Sequence, residues 1–361
     1  MSVIKFLSDL VKEPSLSGEE GGVASIIREE ISKLGVDEVR IDRVGNVIAR
    51  IERSGDFLIL LDAHMDTVPA GDRKAWRKDP FSGEIVNGHV YGRGSVDTKG
   101  SLAAMVHSIP LLSERGPDLV YAFVVHEEDH EGFGVRHAMN SIGRRPDLVI
   151  IGEPTSLNIA RGHRGRAEVL VEFRGRTAHS SMPELGVNCL DELCEYLREL
   201  NKIEMPSHPL LGSASVSPIR VDVSPGLIPM IPDYCALLLD RRTLPGERKS
   251  DIEEQLRGKI VRKIVKCYTG YEEEAEAWFP AWINEEPLVN RLASELGADV
   301  ILWRFGTDGS HTAGETGIST IGYGPGDQEV AHRPDEMIRI DEVERAVKGY
   351  ARIVNSLPYE F

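Results

Sequence analysis

The chain has 361 residues, 41% of them hydrophobic and 28% charged, and its formal net charge is −16. This length predicts two domains, or one domain with a large insertion, and the composition is that of a soluble globular protein. The acidic balance argues against nucleic acid or an anionic membrane as a partner, because both require a basic surface.

Two further features predict the compartment. No apolar run is long enough to span a membrane, and residues 1–10 lack the basic start of a secretory signal, so we expect a cytoplasmic protein with no membrane partner. The four cysteines, Cys189, Cys194, Cys235 and Cys267, have no Cys-x-x-Cys spacing. They are predicted to be buried thiols rather than a disulfide framework or a thiolate zinc site.

The first part of the chain alternates helical patterns with continuous apolar runs. The predicted elements are helices at 3–10, 20–34 and 98–112 and strands at 38–41, 47–51, 57–61, 119–125 and 148–151. Ser17 followed by Glu20 is a candidate capping box for the second helix. Continuous apolar runs are typical of strands buried on both faces of a parallel sheet, and such sheets bind ligands beyond the carboxyl ends of their strands.

Near residue 164 the pattern changes. Residues 167–173 alternate apolar and polar side chains, as in a half-exposed antiparallel strand. The other elements predicted after this point are helices at 186–200, 248–267 and 339–354 and strands at 213–221, 235–241, 300–302 and 319–321. The chain is therefore predicted to be an α/β protein, with a mostly parallel-sheet domain at 1–163 and 276–361 and an inserted α+β domain at 164–275.

Candidate metal ligands lie at the ends of these runs. His64, Glu128 and Glu153 each follow a buried apolar run, and Asp97 lies in the glycine-rich stretch 91–100. A parallel sheet would gather them at one edge, where crowded carboxylates repel one another unless cations lie among them. Imidazole and carboxylate ligands without cysteine suit Zn²⁺, and also Co²⁺ or Mn²⁺.

His332 supplies a fifth ligand, which is more than one tetrahedral ion with an open position can use. The set serves two ions if Asp97 bridges them, about 3.5–4 Å apart, with a hydroxide held between them. Glu127 is left unligated and is predicted to be the general base. Asp66, two residues after His64, is predicted to orient that imidazole.

Six segments of the sequence carry a resemblance. They are Pro14-Ser15 to Gly18-Glu19, Asp62-Ala63-His64-Met65-Asp66-Thr67-Val68, Tyr91-Gly92-Arg93-Gly94-Ser95-Val96-Asp97-Thr98-Lys99-Gly100, Glu127-Glu128, Gly152-Glu153-Pro154-Thr155 and Ala331-His332-Arg333-Pro334-Asp335-Glu336. In order and spacing they resemble the cocatalytic di-zinc amidohydrolases and peptidases, the family of acetylornithine deacetylase, succinyl-diaminopimelate desuccinylase, aminoacylase and glutamate carboxypeptidase. Segments 161–166 and 322–327 look most like its YgeY-type hydrolases, with the deacetylase and archaeal carrier-protein lysine hydrolases next.

The resemblance implies a zinc-exopeptidase-like catalytic domain that binds two divalent metal ions. It places His64, Asp97 and Glu153 on one ion and Asp97, Glu128 and His332 on the other. Glu127 is implied to act as general base and acid.

The resemblance also implies that the inserted domain is a lid that forms a homodimer. His179, in the segment 175–181, would reach the active site of the partner subunit and stabilise the oxyanion. Asn188 and Arg241 match positions that bind the substrate carboxylate, and Gly306 and Thr307 match a loop on the substrate side.

Together these features predict a metal-dependent hydrolase that cleaves the amide bond of an N-acyl amino acid or short peptide. An aminopeptidase or dipeptidase on the same site is an alternative, and a non-catalytic binding protein is disfavoured because Glu127 and every expected ligand are present. Two local questions stay open. His126 and His130 are candidate alternative ligands, and the cluster Arg161, Arg164 and Arg166 is either a site for an anionic substrate group or a solvated strand edge.

Overall fold

The computed structural model describes residues 1–53 and 56–357. The helices of these residues are α1 (Val3–Lys12), α2 (Gly21–Ile31), α3 (Gly100–Ser108), α4 (Phe133–Ile142), α5 (Cys189–Leu200), α6 (Lys249–Leu256), α7 (Pro287–Leu296) and α8 (Ile340–Ser356). The strands are β1 (Glu38–Ile41), β2 (Val47–Ile51), β3 (Leu58–His64), β4 (Glu84–Val86), β5 (His89–Tyr91), β6 (Asp118–Val124), β7 (Leu148–Ile151), β8 (Ile159–Ala160), β9 (Gly162–His163), β10 (Gly165–Arg174), β11 (Ser207–His208), β12 (Gly212–Ser213), β13 (Ser215–Ser224), β14 (Tyr234–Thr243), β15 (Lys259–Ile260), β16 (Arg262–Lys266), β17 (Glu272–Glu276), β18 (Trp278–Phe279), β19 (Trp282–Ile283), β20 (Val300–Ile301), β21 (Ser319–Gly322) and β22 (Met337–Arg339). Within the described residues, no helix has the length and apolar character needed to cross a membrane.

The chain divides into two compact units. The first consists of Met1–His163, Ile264–Glu273 and Trp282–Phe361, and the second of Arg164–Lys263 and Glu274–Ala281. Each unit has its own sheet and its own hydrophobic core.

The first unit is built on a central sheet. Among the described residues the strand order is β1-β2-β6-β3-β7-β21-β8-β20. β3 is parallel to both β6 and β7, and β7 is parallel to β21, whereas β1 and β2 form an antiparallel edge. Every residue of β3 is buried, as expected for a strand covered on both faces. The predicted α/β class with a mostly parallel sheet is confirmed.

The register of this sheet sets the position of the site. His64 pairs with Val124, and Asp62 pairs with Ile151, so β3, β6 and β7 end side by side. Buried side chains such as Leu60 pack in one core cluster, each contributing roughly 1.5–3 kcal/mol. The residues that follow β3, β6 and β7 therefore all lie at the same edge of a well-packed sheet.

The second unit has a smaller antiparallel sheet, with strand order β13-β14-β10-β15 and β18 beside β10. Along β10 the residues from Ala167 to Phe173 alternate between the core and the outer face, as predicted. The inward side chains pack against Leu193 of α5 and Leu256 of α6. α5 begins after Asn188, whose Oδ1 accepts the N–H of Leu190 at 3.1 Å.

The predicted helix at 248–267 is wrong in its second half. α6 ends at Leu256, and Arg257 follows with φ at +49°, in the left-handed region that ends helices. The chain then continues as β15 and β16, where β-branched residues such as Ile260 and Val265 favour extended backbone.

The prediction that all four cysteines are thiols is also wrong. Cys189 and Cys235 form a disulfide, with Cα atoms 5.9 Å apart, whereas Cys194 and Cys267 are free. The paired residues are 46 positions apart and meet because α5 packs on the sheet next to β14. Local cysteine spacing contains no signal for such a contact.

Candidate metal centre

His64 ends β3, and its imidazole is buried. Its Nδ1 donates to the main-chain oxygen of Asp66 at 2.9 Å, while Nε2 faces Oδ1 of Asp97 at 2.9 Å and Oε1 of Glu153 at 3.3 Å. In the neutral ring this arrangement leaves a lone pair on Nε2, opposite two carboxylate oxygens. Burial lowers the pKa of His64, but the surrounding carboxylates prevail and raise it well above its usual value. The surrounding carboxylates therefore stabilise positive charge at Nε2 of His64, carried by a proton or by a metal cation.

A second group of ligand atoms shares Asp97. His332 Nε2 lies 3.1 Å from Oδ2 of Asp97 and 3.0 Å from Oε2 of Glu128. Within each group, His64–Asp97–Glu153 and Asp97–Glu128–His332, the ligand atoms are all within 4.8 Å of one another. Asp97 thus presents one oxygen to each imidazole.

The residues present fit a pair of divalent cations. Oε2 of Glu153 and Oε1 of Glu127 are buried and have no hydrogen-bond partner within residues 1–53 and 56–357. A buried polar atom left unpaired costs about 1–3 kcal/mol, which a bound cation or ligand removes. The set of two imidazoles and three carboxylates, without a thiolate, suits Zn²⁺, Co²⁺ or Mn²⁺.

Glu127 lies beside this cluster and is only 6% exposed. Burial raises its pKa well above the usual value, and the carboxylates of Glu153, Asp308 and Glu128 raise it further, against the opposing charge of His64. Burial likewise raises the pKa of Glu153 to about 8. Carboxyl groups with pKa values raised in this way are suited to proton transfer near neutral pH.

Residues 60–356 match the model of peptidase family M20/M25/M40. The chain belongs to this family. The predicted family and its hydrolase class are therefore confirmed.

Individual members show how widely the similarity extends. The chain is 33% identical to the uncharacterized protein YgeY of Escherichia coli strain K12, over 92% of this chain and 88% of that protein. It is 28% identical to acetylornithine deacetylase of Aliivibrio salmonicida, over 88% of this chain and 86% of the deacetylase. In fold it resembles the Bacillus subtilis YXEP protein, a dinuclear metal binding peptidase of the M20 family, with a TM-score of 0.70 and 16% identity over 98% of this chain and 96% of that chain.

In this M20/M25/M40 member, Asp66 does more than face the His64 ring. Its carboxylate accepts the main-chain N–H groups of Glu127 and Glu128, each at 3.1 Å, and the Ser17 hydroxyl at 2.6 Å. Its Oδ1 is 3.5 Å from Nδ1 of His64, farther than its main-chain oxygen. The predicted capping box is therefore wrong, because the Ser17 side chain is bound to Asp66.

The glycine-rich segment at 322–327 supports Glu153. The main-chain oxygen of Gly324 accepts the N–H of Leu157 at 2.9 Å, and its N–H donates to Oγ1 of Thr155 at 3.0 Å. A Cβ on Gly324 would lie 2.5 Å from the main-chain oxygen of Glu153. Glycine is required here because the two backbones approach so closely.

Two predicted substrate-side residues lie in the first unit. Thr307 is buried, and its N–H donates to Nε2 of His163 at 3.1 Å. Gly306 lies against Glu131, whose Oε2 would be 2.1 Å from an added Cβ. Their loop is joined to the segment after Glu128 because Oδ1 of Asp308 accepts the N–H of Gly132 at 2.6 Å.

The other three predicted residues belong to the second unit. His179 is exposed, and its Nδ1 accepts the N–H of Ser181 at 3.2 Å. Asn188 is the N-cap of α5. Arg241 is fully buried and donates to Oε1 of Glu247 at 2.6 Å. Their roles toward substrate stay predictions.

The histidines beside the glutamate pair are not in either ligand group of the described residues. His126 Nε2 donates to the main-chain oxygen of Lys266 at 3.0 Å, and Nδ1 is 3.0 Å from the carboxylate of Asp129. Both ring nitrogens are thus engaged away from the ligand groups.

Each of the three arginines of the segment 161–166 has a partner within its own unit. Arg161, in the first unit, donates to the main-chain oxygen of Asn284 at 2.8 Å. In the second unit, Arg164 donates to the main-chain oxygen of Ser213 at 2.9 Å, and Arg166 lies over the ring of Phe279.

Proposed function

We propose that the protein is a metal-dependent amidohydrolase that cleaves the amide bond of an N-acyl amino acid or short peptide with a free carboxylate. The observation that carries this proposal is the pair of ligand groups that share Asp97 beside the buried Glu127. Two divalent ions, Zn²⁺ in our proposal and Co²⁺ or Mn²⁺ as alternatives, supply polarisation of the substrate carbonyl and acidification of the attacking water when bound.

We assign the residues of the two ligand groups to two separate ions. His64 and Glu153 would hold one ion, Glu128 and His332 would hold the other, and Asp97 would bind both through its separate oxygens. The donation from Nδ1 of His64 to Asp66 supports this assignment, because it directs the lone pair of Nε2 toward the cluster.

Glu127 acts as the proton carrier in this proposal. Its carboxylate takes a proton from the attacking water at Oε1 and delivers it to the nitrogen of the leaving amine. The burial of Glu127, its raised pKa and the absence of a donor to Oε1 in the described part of the chain support this role. Asp66 holds the main chain of Glu127 and so fixes where the carboxylate stands.

On the substrate side, we propose that Asn188, Arg241, Gly306 and Thr307 bind the carboxylate and the neighbouring backbone of the substrate. The assignment of Arg241 requires a change of hydrogen-bond partner, because its guanidinium already donates to Glu247. A substrate carboxylate would have to share or displace that partner.

The acyl group and the leaving amine are tested by a panel of acetyl-, succinyl- and aminoacyl-amino acids with Zn²⁺, Co²⁺ or Mn²⁺ added to chelator-treated protein. We expect metal-dependent hydrolysis of at least one N-acyl amino acid. Cleavage of aminoacyl substrates alone would favour the aminopeptidase or dipeptidase alternative. No hydrolysis of any member with any metal would contradict the proposal.

We further propose that the second unit forms a homodimer through β13. Among the described residues this strand is at the edge of its sheet and pairs with β14 on one side only, which leaves a row of main-chain groups for another strand. Ile219, Val221 and Val223 are 61%, 42% and 39% exposed along it. A second copy of this chain would cover these apolar side chains by a two-fold interface.

His179 is proposed to act across this dimer. Because its Nδ1 accepts from Ser181, the neutral ring carries its proton on Nε2, which can donate to the oxyanion of the partner site. Coexpression of Glu127→Ala and His179→Ala chains tests this role. If His179 acts in trans, random pairing of the two chains restores about a quarter of the wild-type sites, since one site in each mixed dimer is intact.

The two variants expressed alone are the controls, and both should be nearly inactive in steady-state assays. A mixture as inactive as the separate variants would place His179 in the same subunit as its Glu127. An active His179→Ala homodimer would remove the oxyanion role.

A further inference from the structure

Arg93 and Glu336 form a buried ion pair that none of the proposed chemistry uses. Nη1 of Arg93 lies 2.5 Å from Oε2 of Glu336, and their side chains are 2% and 0% exposed. Trp76 covers the guanidinium, whose Cζ is 5.2 Å from the ring centroid. Burying two charges is costly unless further hydrogen bonds satisfy them, so the other bonds of the pair are informative.

Those other bonds reach the main chain of two candidate ligands. Oε1 of Glu336 accepts the N–H groups of Val96 and Asp97, at 2.9 and 3.2 Å. Nη2 of Arg93 donates to the main-chain oxygen of His332 at 3.2 Å. The ion pair thus joins the loop of the shared ligand to the loop of a ligand that belongs only to the second group.

His332 is the candidate ligand most in need of such support. It follows no strand, its side chain is 50% exposed, and its φ of +63° lies in the left-handed region that non-glycine residues rarely adopt. Such a conformation persists where surrounding bonds hold it. The donation from Arg93 to its carbonyl is one of those bonds.

We propose that the Arg93–Glu336 ion pair is a positioning device that holds Asp97 and His332 at the separation the second metal ion requires. The inference rests on the proposed two-metal function. Arg93 and Glu336 touch neither substrate nor metal in it and act through the two ligands.

Arg93→Lys tests the bond to the His332 carbonyl apart from the bond to Glu336. A lysine ammonium can pair with Glu336, but it lacks the planar fork that reaches Glu336 and the His332 carbonyl together. In zinc titration calorimetry of chelator-treated protein, we expect one zinc ion to bind as in wild type and the other about 10- to 100-fold more weakly, the usual loss when a residue supporting a ligand is changed.

Glu336→Gln should weaken both ions, because the amide leaves Arg93 without a counter-charge and loosens the main chain of Asp97. Arg136→Lys is the matched control for Arg93→Lys, since Arg136 pairs with Glu273 at 2.8 Å in the same unit. Its zinc affinities should equal those of wild type.

The melting temperature with and without zinc separates positioning from a merely structural role. A structural role lowers both melting temperatures equally, whereas positioning also shrinks the rise that zinc produces. The wild type could bind two zinc ions while Arg93→Lys shows the same zinc affinities and the same zinc-induced rise in melting temperature. That result would overturn this inference and leave the proposed function standing. Wild-type protein that binds no zinc pair would overturn the proposed function and the inference with it.

Discussion

Replacement of Glu127 by glutamine is expected to lower kcat by about 10²- to 10⁴-fold while metal binding persists. Glutamine has nearly the volume of glutamate, but its amide does not accept a proton from water near neutral pH. Oε1 of Glu127 has no donor within residues 1–53 and 56–357, so the change breaks no bond to that atom. Steady-state hydrolysis of the substrate found in the panel, together with zinc content by mass spectrometry, checks this result.

Glu114→Gln is the matched control, because Glu114 is exposed on the surface of the same unit. It should leave kcat and zinc content unchanged. A Glu127→Gln enzyme with wild-type kcat would assign the base to another group. Loss of zinc together with activity would mean that Glu127 is a metal ligand instead.

Replacement of Asp97 by asparagine is expected to weaken the binding of both metal ions and to lower turnover accordingly. Each oxygen of Asp97 faces a different imidazole, Oδ1 toward His64 and Oδ2 toward His332. Asparagine keeps one oxygen, loses the charge, and presents an amide NH₂ to one of the two groups. We expect the affinity for both ions to fall by at least about 100-fold, the upper end for loss of a supporting residue alone.

Glu153→Gln is the comparison for this experiment, because Glu153 belongs only to the group of His64. It should weaken one zinc ion and spare the other in the same titration, with circular dichroism to verify folding of both variants. If Asp97→Asn weakened the binding of only one zinc ion, the assignment of Asp97 to both ions would be wrong.

The arrangement of strands in the first unit could be predicted because burial leaves a local mark. Continuous apolar runs at 57–61, 119–125 and 148–151 indicated strands covered on both faces, and the structure has β3, β6 and β7 there. Parallel strands end at one edge of a sheet, so the polar residues that follow them were expected to meet. The structure brings them together there.

Local patterns failed where a distant contact decides the conformation or the partner. The helical spacing at 248–267 did not reveal that the chain turns at Arg257 and returns to the sheet as β15. The Ser17 hydroxyl resembled a helix cap but is bound to Asp66, 49 positions away. Cys189 and Cys235 likewise meet only through packing of the second unit.

The sequence by itself determined the family, the mostly parallel sheet and the set of imidazole and carboxylate groups at its edge, because residue type, order and periodicity are local properties. Only the tertiary structure decided that Asp97 presents separate oxygens to His64 and His332, and that Arg93 and Glu336 join the loops of Asp97 and His332. Apart from the contact between Asp97 and His64, these contacts link residues more than two hundred positions apart. Their energy depends on burial and direction, which no local spacing encodes.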